Sequence, residues 1–317
     1  MQQPNTFRFF QRDKYISVEK PLSGIVLLVL LLFFLTACDK FEGDQTVPCW
    51  LSIEKIDLTD NPSIEEGVLS QNFTDVWVYV DDQILGAYEL PAVIPVLEEG
   101  RHKLLITPGV KYNGISGTRG PYQFIEPYVD NDFMFIKDEL ILIRPELSYY
   151  DNTVFRWTED FEDGFISFEA TANSDTALNL VYHDPPDTLL QYISGAGYVD
   201  ANRQVLECAT NVSEGNGFEL PGGSSPVFLE IDYNTNLPFV IGLYVTRLAE
   251  VIQNPIVVIN PTNGEWKKMY VNMTSVVSDY GNALHFNVFL RMEYESGMES
   301  PVLQIDNIRL LHKPMNR

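Results

Sequence analysis

Asp75-Val76-Trp77-Val78-Tyr79-Val80 alternates β-branched and aromatic residues, Asp81-Asp82 interrupts it, and Gln83-Ile84-Leu85-Gly86-Ala87-Tyr88 resumes it. An extended chain points successive side chains to opposite faces, so this pattern predicts a hairpin about an acidic turn. The same grammar continues on both sides. Pro91 and Pro95 confine the next segment to an edge or crossover, because proline brings no donor to a central ladder. Glu98-Glu99-Gly100 then turns the chain into a strand over Arg101 to Thr107. Further on, Val227 to Tyr233 and Phe239 to Val245 read as core strands joined through Thr235-Asn236. Helix-length apolar periodicity is absent after the N-terminal leader, so the expected fold class is all-β.

The first residues carry a different signal. Arg8, Arg12, Lys14 and Lys20 precede an apolar run from Gly24 to Leu35. That run fits the ~7–15 residues of a secretory h-region and falls short of the ~20 needed to span a bilayer. Leu35-Thr36-Ala37-Cys38 follows and resembles the lipobox of bacterial lipoproteins. The resemblance implies cleavage after residue 37 and acylation (palmitate among the chains) of Cys38. Asp39-Lys40-Phe41-Glu42-Gly43-Asp44 resembles the export tag of Bacteroidetes surface lipoproteins, which implies a surface-exposed site on the bacterial outer membrane.

Removing residues 1–37 leaves 280 of 317 residues. It takes away four basic and two acidic side chains, so the net charge of −23 becomes −25. A chain this acidic has no Lys/Arg stripe to meet phosphates, which argues against nucleic acid as a partner. Its length suggests two domains at ~100–200 residues each. Beyond Cys38 only Cys49 and Cys208 remain, too few for a disulfide framework, and two separate buried thiols are expected.

Within residues 46–148, the run from Leu85-Gly86 through Leu90-Pro91 and Val96-Leu97-Glu98-Glu99-Gly100-Arg101-His102 to Ile106-Thr107-Pro108-Gly109 resembles PEGA-type modules, small immunoglobulin-like extracellular β-sandwiches. Ser148-Tyr149-Tyr150-Asp151-Asn152 marks a boundary, with Tyr149 and Tyr150 placed to pack between domains. Residues 149–317 form the second domain. There, Val154-Phe155-Arg156-Trp157-Thr158-Glu159-Asp160-Phe161-Glu162-Asp163-Gly164, Gly264-Glu265-Trp266-Lys267 and Ile305-Asp306-Asn307-Ile308 resemble three anchor segments of jelly-roll carbohydrate-binding modules. The expected architecture is therefore a signal peptide (1–37), a lipidated tether (38–45), a small sandwich (46–148) and a larger jelly roll (149–317).

In that family the first and last strands lie together and carboxylates on them hold a structural calcium, which by position implicates Glu162 and Asp306. Calcium takes six to eight oxygens, so carbonyls or waters would have to complete the set. The plain alternative leaves Glu162 solvated and has Asp306 cap a turn or pair with Arg309. No other cofactor is indicated.

Sugar binding needs a flat aromatic face with amides or carboxylates beside it. Trp157, Tyr182, Tyr192, Tyr198, Tyr233, Tyr244 and Tyr280 supply rings, though each is expected first as a core or inter-sheet aromatic, and Trp266 reads as structural. Asp184-Pro185-Pro186-Asp187, Gly195-Ala196-Gly197-Tyr198 and Gly215-Asn216-Gly217 read as loops able to frame a site, and sequence alone selects no ligand-binding residue.

Catalytic signatures are missing. Glu159 to Asp163 lacks the carboxylate spacing of jelly-roll glycoside hydrolases and reads as a solvated acidic edge, and neither Gly114-Ile115-Ser116-Gly117 nor Gly222-Gly223-Ser224-Ser225 is a nucleophile elbow. His102, His183, His285 and His312 are far apart in sequence and form no zinc motif. The sequence thus points to a non-catalytic, membrane-anchored lipoprotein that binds or captures a polysaccharide. The alternative is an assembly lipoprotein whose partner is another envelope protein. A concave face with aromatics favours the first, a flat apolar patch the second.

Overall fold

A computed structural model describes residues 47–187, 191–298 and 300–315. Cys38 and the leader lie outside the described residues. The first half carries β1 (Cys49–Ile53), β2 (Asp57–Leu58), β3 (Asp75–Val80), β4 (Gln83–Glu89), β5 (Ala92–Val96), β6 (Gly100–Lys111), β7 (Arg119–Pro121), β8 (Tyr128–Phe135), β9 (Leu140–Ile143) and β10 (Glu146–Leu147). The second carries β11 (Val154–Glu159), β12 (Phe168–Ala170), β13 (Asn179–Asp187), β14 (Gln191–Tyr198), β15 (Val205–Thr210), β16 (Val227–Thr235), β17 (Phe239–Thr246), β18 (Val251–Ile259), β19 (Lys267–Asn272), a single-turn helix α1 (Thr274–Asp279), β20 (His285–Glu293) and β21 (Val302–His312). The chain is all-β as expected, with α1 the one small departure among the described residues.

The hairpin forms as its pattern requires. β3 pairs with β4 from Asp75 opposite Glu89 to Val80 opposite Gln83. Asp81 and Asp82 close it at φ 49° and 62°, left-handed conformations that Asp tolerates and that suit the twist of a tight hairpin. β3 and β4 continue through β6 to β7, with β8 also on β6, and this sheet packs against a three-stranded sheet ordered β5-β1-β9. β5 lies at an edge, where Pro95 costs no ladder bond.

The second half is a jelly-roll-like sandwich. Its inner sheet runs β13-β14-β21-β16-β19 with β11 also on β21, and its outer sheet runs β12-β15-β20-β17-β18. The turn after Thr235 carries the chain from β16 in one sheet to β17 in the other, so the two strands face each other across the core. Leu229, Ile231, Leu243, Leu290 and Leu310 fill that core.

β16 explains how the halves join. A strand on a sheet with one wet face alternates in burial, yet Val227 to Tyr233 is buried throughout. Alternate residues point away from the jelly-roll core, and there Phe228, Tyr270 of β19 and Leu311 of β21 enter the hydrophobic core of the first half. The Tyr122 ring lies 4.7 Å from that of Tyr270 in a tilted arrangement and packs edge-on to Phe228 at 5.7 Å. Residues 47–317 consequently make one compact unit. Cys49 and Cys208 are buried free thiols, one in each half.

At the centre of this junction sits Glu230, fully buried. Tyr122 and Tyr149 donate hydroxyl hydrogen bonds to it at 2.5 and 2.9 Å, while Lys268 Nζ lies at 3.1 Å and Arg309 Nη1 at 3.5 Å. Burial disfavours its charge, but Lys268 and Arg309 more than compensate and keep the carboxyl below its ordinary range. Tyr149 is thus an anchor between the halves, whereas Tyr150 stays half-buried beneath the Lys313 ammonium, 4.0 Å from its ring centre.

Several sequence expectations change here. Gly195-Ala196-Gly197-Tyr198 is part of β14 rather than a loop. Its glycines admit neighbours: a Cβ on Gly195 would lie 2.6 Å from the Phe161 ring, and one on Gly197 would lie 2.2 Å from Leu206. Glu159 is not a solvated edge. It is buried, accepts the backbone N–H groups of Phe161 and Ser167, and has its carboxyl pushed upward by that burial. Asp184-Pro185-Pro186-Asp187 belongs to β13 rather than to a loop.

Candidate functional site

β15 runs Val205-Leu206-Glu207-Cys208-Ala209-Thr210. Leu206 and Cys208 point into the jelly-roll core, so by alternation Glu207 and Ala209 point outward. Cross-strand register sets Glu207 opposite Arg291 of β20, and sets Tyr244 of β17 between Asn287 of β20 and Gln253 of β18. Four adjacent strands therefore present Glu, Arg, Tyr, Asn and Gln on the same outward face.

These side chains are mutually fixed. Glu207 Oε1 accepts from Thr171 Oγ1 at 2.6 Å, Tyr244 OH at 2.5 Å and Asn173 Nδ2 at 3.1 Å. Its Oε2 accepts from Arg291 Nη1 at 2.5 Å and Gln253 Nε2 at 3.0 Å, and Gln253 also donates to the Tyr244 hydroxyl. Glu207 itself is fully buried beneath them. Burial opposes its charge, but the bonds from Thr171, Tyr244, Arg291 and Asn173 outweigh that and hold the carboxyl down to about 2. The Tyr244 phenol is pushed up by burial and by the Glu207 charge, so it remains a donor.

Beside this cluster the outer sheet is hollowed into a cleft of about 410 Å³. Tyr244, Ala209, Thr246 and Asn287 contribute to its floor, and Asn173, Asn211, Asn216, Val251 and His285 to its walls. Ala209 leaves room above the sheet, while Gly215-Asn216 form part of one rim. Asn287 donates to the carbonyls of Thr210 and Asn216 and ties the rim to the floor. The lining combines the Tyr244 ring and the apolar Ala209, Val212 and Val251 with amides and hydroxyls, and it contains no Asp, Glu, Lys or Arg. Such a surface offers hydrogen-bond donors and acceptors beside an apolar ring face.

The other sequence candidates fall elsewhere. Tyr182, Tyr192 and Tyr198 on β13 and β14 are exposed, contrary to the expectation of core packing, and Tyr233 is buried. Trp157 stacks edge-on with Phe168 at 5.0 Å, and Tyr280 packs against the jelly-roll core. Trp266, with Ser70, Gln71, Asn72, Asp232, Lys267 and Lys268, lines a second cavity of about 350 Å³ where the halves meet.

β11 and β21 do pair, with Glu159 opposite Ile308, which places Glu162 and Asp306 at one end of the sandwich. Glu162 accepts the backbone N–H groups of Tyr192 and Ile193 at 2.8 and 2.9 Å. Asp306 is buried, accepts from its neighbour Asn307 N, and has an Oδ2 with no partner. Arg309 turns to Glu230 instead. Burial, reinforced by the charges of Asp232, Glu162 and Asp160, pushes the Asp306 carboxyl up to about 8. That orphaned oxygen suits a cation, but among the described residues no three acidic, His or Cys side chains converge on one point. The protein carboxylates thus supply only part of a calcium shell.

No protein-family model matches this chain, and no curated protein matches it. Among solved structures it is similar to a carbohydrate-binding module of the β-sandwich superfamily, at 10% identity over 74% of this chain and 84% of that one, with a TM-score of 0.37. The K1 cleaved adhesin domain of Lys-gingipain from Porphyromonas gingivalis W83 overlaps at 10% identity over 52% of this chain and 99% of that one, TM-score 0.34. The module pair of Clostridium thermocellum xylanase 10B complexed with xylohexaose overlaps at 13% identity over 45% of this chain, TM-score 0.32. The chain spans only 25% of that xylanase structure. No residue role is carried over from any of them.

Proposed function

We propose that this protein binds a neutral polysaccharide in the outer-sheet cleft and does no chemistry on it. The carrying observation is the Glu207 cluster. One buried carboxylate immobilises Tyr244, Asn173, Gln253 and Arg291 from separate elements, so the groups beside the cleft are ordered before a ligand arrives, which lowers the entropy cost of binding. Both Glu207 oxygens are taken by protein donors, which suits an organiser rather than a general acid or base. Acylation of Cys38 and an outer-membrane, surface-exposed address complete the reading, supported by the lipobox-like Leu35-Thr36-Ala37-Cys38. We further propose a stabilising calcium held in part by Asp306 and Glu162, supported by the orphaned Asp306 oxygen.

The test is titration of Val47–Arg317, a compact unit by itself, against an array of plant, host and bacterial glycans followed by calorimetry. Selective binding that Tyr244→Ala weakens at least ~10-fold, about 1.4 kcal/mol, supports the cleft. Binding untouched by Tyr244→Ala moves the site elsewhere, and silence across the array removes the glycan reading.

A further inference from the structure

The three-stranded sheet β5-β1-β9 leaves an apolar face uncovered. Leu51, Ile53, Ile94 and Val96 point into the first core and are fully buried. Their neighbours point out. Trp50 lies between Pro95 and Leu140 in one row of the register, and Ser52 lies between Val93 and Leu142 in the next. Trp50 is 39% exposed, Leu140 58%, Val93 59% and Leu142 76%, so five of six adjacent outward positions are apolar and wet. A sheet face facing only water is expected to be polar, and a contiguous apolar patch marks a contact surface. Val47, Leu97 and Ile136, at 40%, 59% and 43% exposure, extend the apolar character toward the end where β1 begins.

We infer that this face rests on the bilayer that carries the chain's own anchor, an inference that rests on the proposed acylation of Cys38. Trp50 lies twelve positions after Cys38. At a maximum of ~3.3–3.6 Å per residue the face stays within roughly 40 Å of the anchoring lipid. Confinement at that distance acts as a high effective concentration, so a contact too weak to recruit the free protein suffices once the chain is tethered. Tryptophan favours the headgroup level, and Leu and Val beside it favour shallow burial. On the rim the exposed Glu98, Glu99, Asp138 and Glu139 outnumber Lys137, which selects a zwitterionic surface over an anionic one. With this face down, β1 runs along the membrane plane. Its C-terminal end leads to Ile56, whose carbonyl accepts from Gln71 beside the junction, so the jelly roll lies beyond the far end of β1 from the tether.

The experiment replaces the biological anchor by chemistry. Leaderless Cys38–Arg317 is coupled through the Cys38 thiol to a maleimide lipid in phosphatidylcholine vesicles with brominated acyl chains, Cys49 and Cys208 being buried. Expected is quenching of tryptophan emission that Trp50→Phe abolishes, that Leu140→Asn/Leu142→Asn reduces at least twofold, and that added phosphatidylglycerol weakens. Emission unchanged by bromolipid, or quenching that survives Trp50→Phe, overturns the inference. Energy transfer between anchored copies without quenching overturns it in favour of a second copy on the same face. Acylation is read separately, as palmitate-analogue incorporation lost in Cys38→Ser, so failure of that reading and failure of this one are distinguishable.

Discussion

Glu230 and Glu207 occupy equivalent situations on opposite sheets of the jelly roll. Both sit mid-strand at positions facing away from the core, both are fully buried, and each takes an arginine and a tyrosine hydroxyl. They differ in what lies above them. The first half of the chain covers Glu230, and its second cation, Lys268, is buried with it. Glu207 is covered only by its own hydrogen-bond partners, and Arg291 reaches solvent at 28% side-chain exposure. One constellation of residue types thus serves as a rivet where a second sandwich closes over it and, in the function proposed above, as the organiser of a binding face where none does. Covering, not residue type, separates structure from function here.

The largest effect should come from breaking the covered member. Glu230→Gln leaves Lys268 and Arg309 buried without their counter-ion and should cost ~3–5 kcal/mol in denaturant unfolding. Glu207→Gln should cost less, about 1–3 kcal/mol, because water can reach Arg291. It should also flatten the acid limb of the stability curve. A carboxyl held down to about 2 contributes stability that is complete above its ordinary value of 4.5 and lost as pH falls from there toward 2. The distinction between the two sites sharpens further if Glu207→Gln weakens glycan binding while milder junction variants such as Tyr149→Phe leave it intact. A smaller effect concerns Asp306. With its carboxyl raised to about 8, its contribution is present below the ordinary 3.8 and fades as pH rises toward 8. In chelator at pH 8 to 9, Asp306→Asn should therefore melt above the parent. Calcium should raise the parent's Tm by a few degrees and leave the variant unmoved, and a parent Tm indifferent to chelator would sink the calcium proposal.

Much of the fold was legible because its signals are local. The Asp75 to Tyr88 hairpin and the strand over Arg101 to Thr107 follow from alternation and turn residues. β14 was misread because Gly195 and Gly197 look like a turn, when their missing side chains make room for Phe161 and Leu206 from elsewhere in the fold. The cleft was hardly legible at all. The cluster beside it joins residues 171, 173, 207, 244, 253 and 291, and a single Glu inside Val205-Leu206-Glu207-Cys208 resembles any outward strand position until register places an arginine opposite it. Tyr244 and the Gly215-Asn216-Gly217 loop were in view, but nothing local distinguished them from six other aromatics or two other loops. Glu230 was equally silent, though the consecutive apolar residues Val227-Phe228-Leu229 before it were the trace of a sheet covered on both faces.

β21 hydrogen-bonds to β11, β14 and β16, and supplies Arg309 and Leu311 to the junction. Neither the inner sheet nor the seam between the sandwiches can close before residues 302–312 have left the ribosome. Because Phe228, Tyr270 and Leu311 also complete the core of the first half, both sandwiches wait on that strand, and the folding of the two halves is coupled in time.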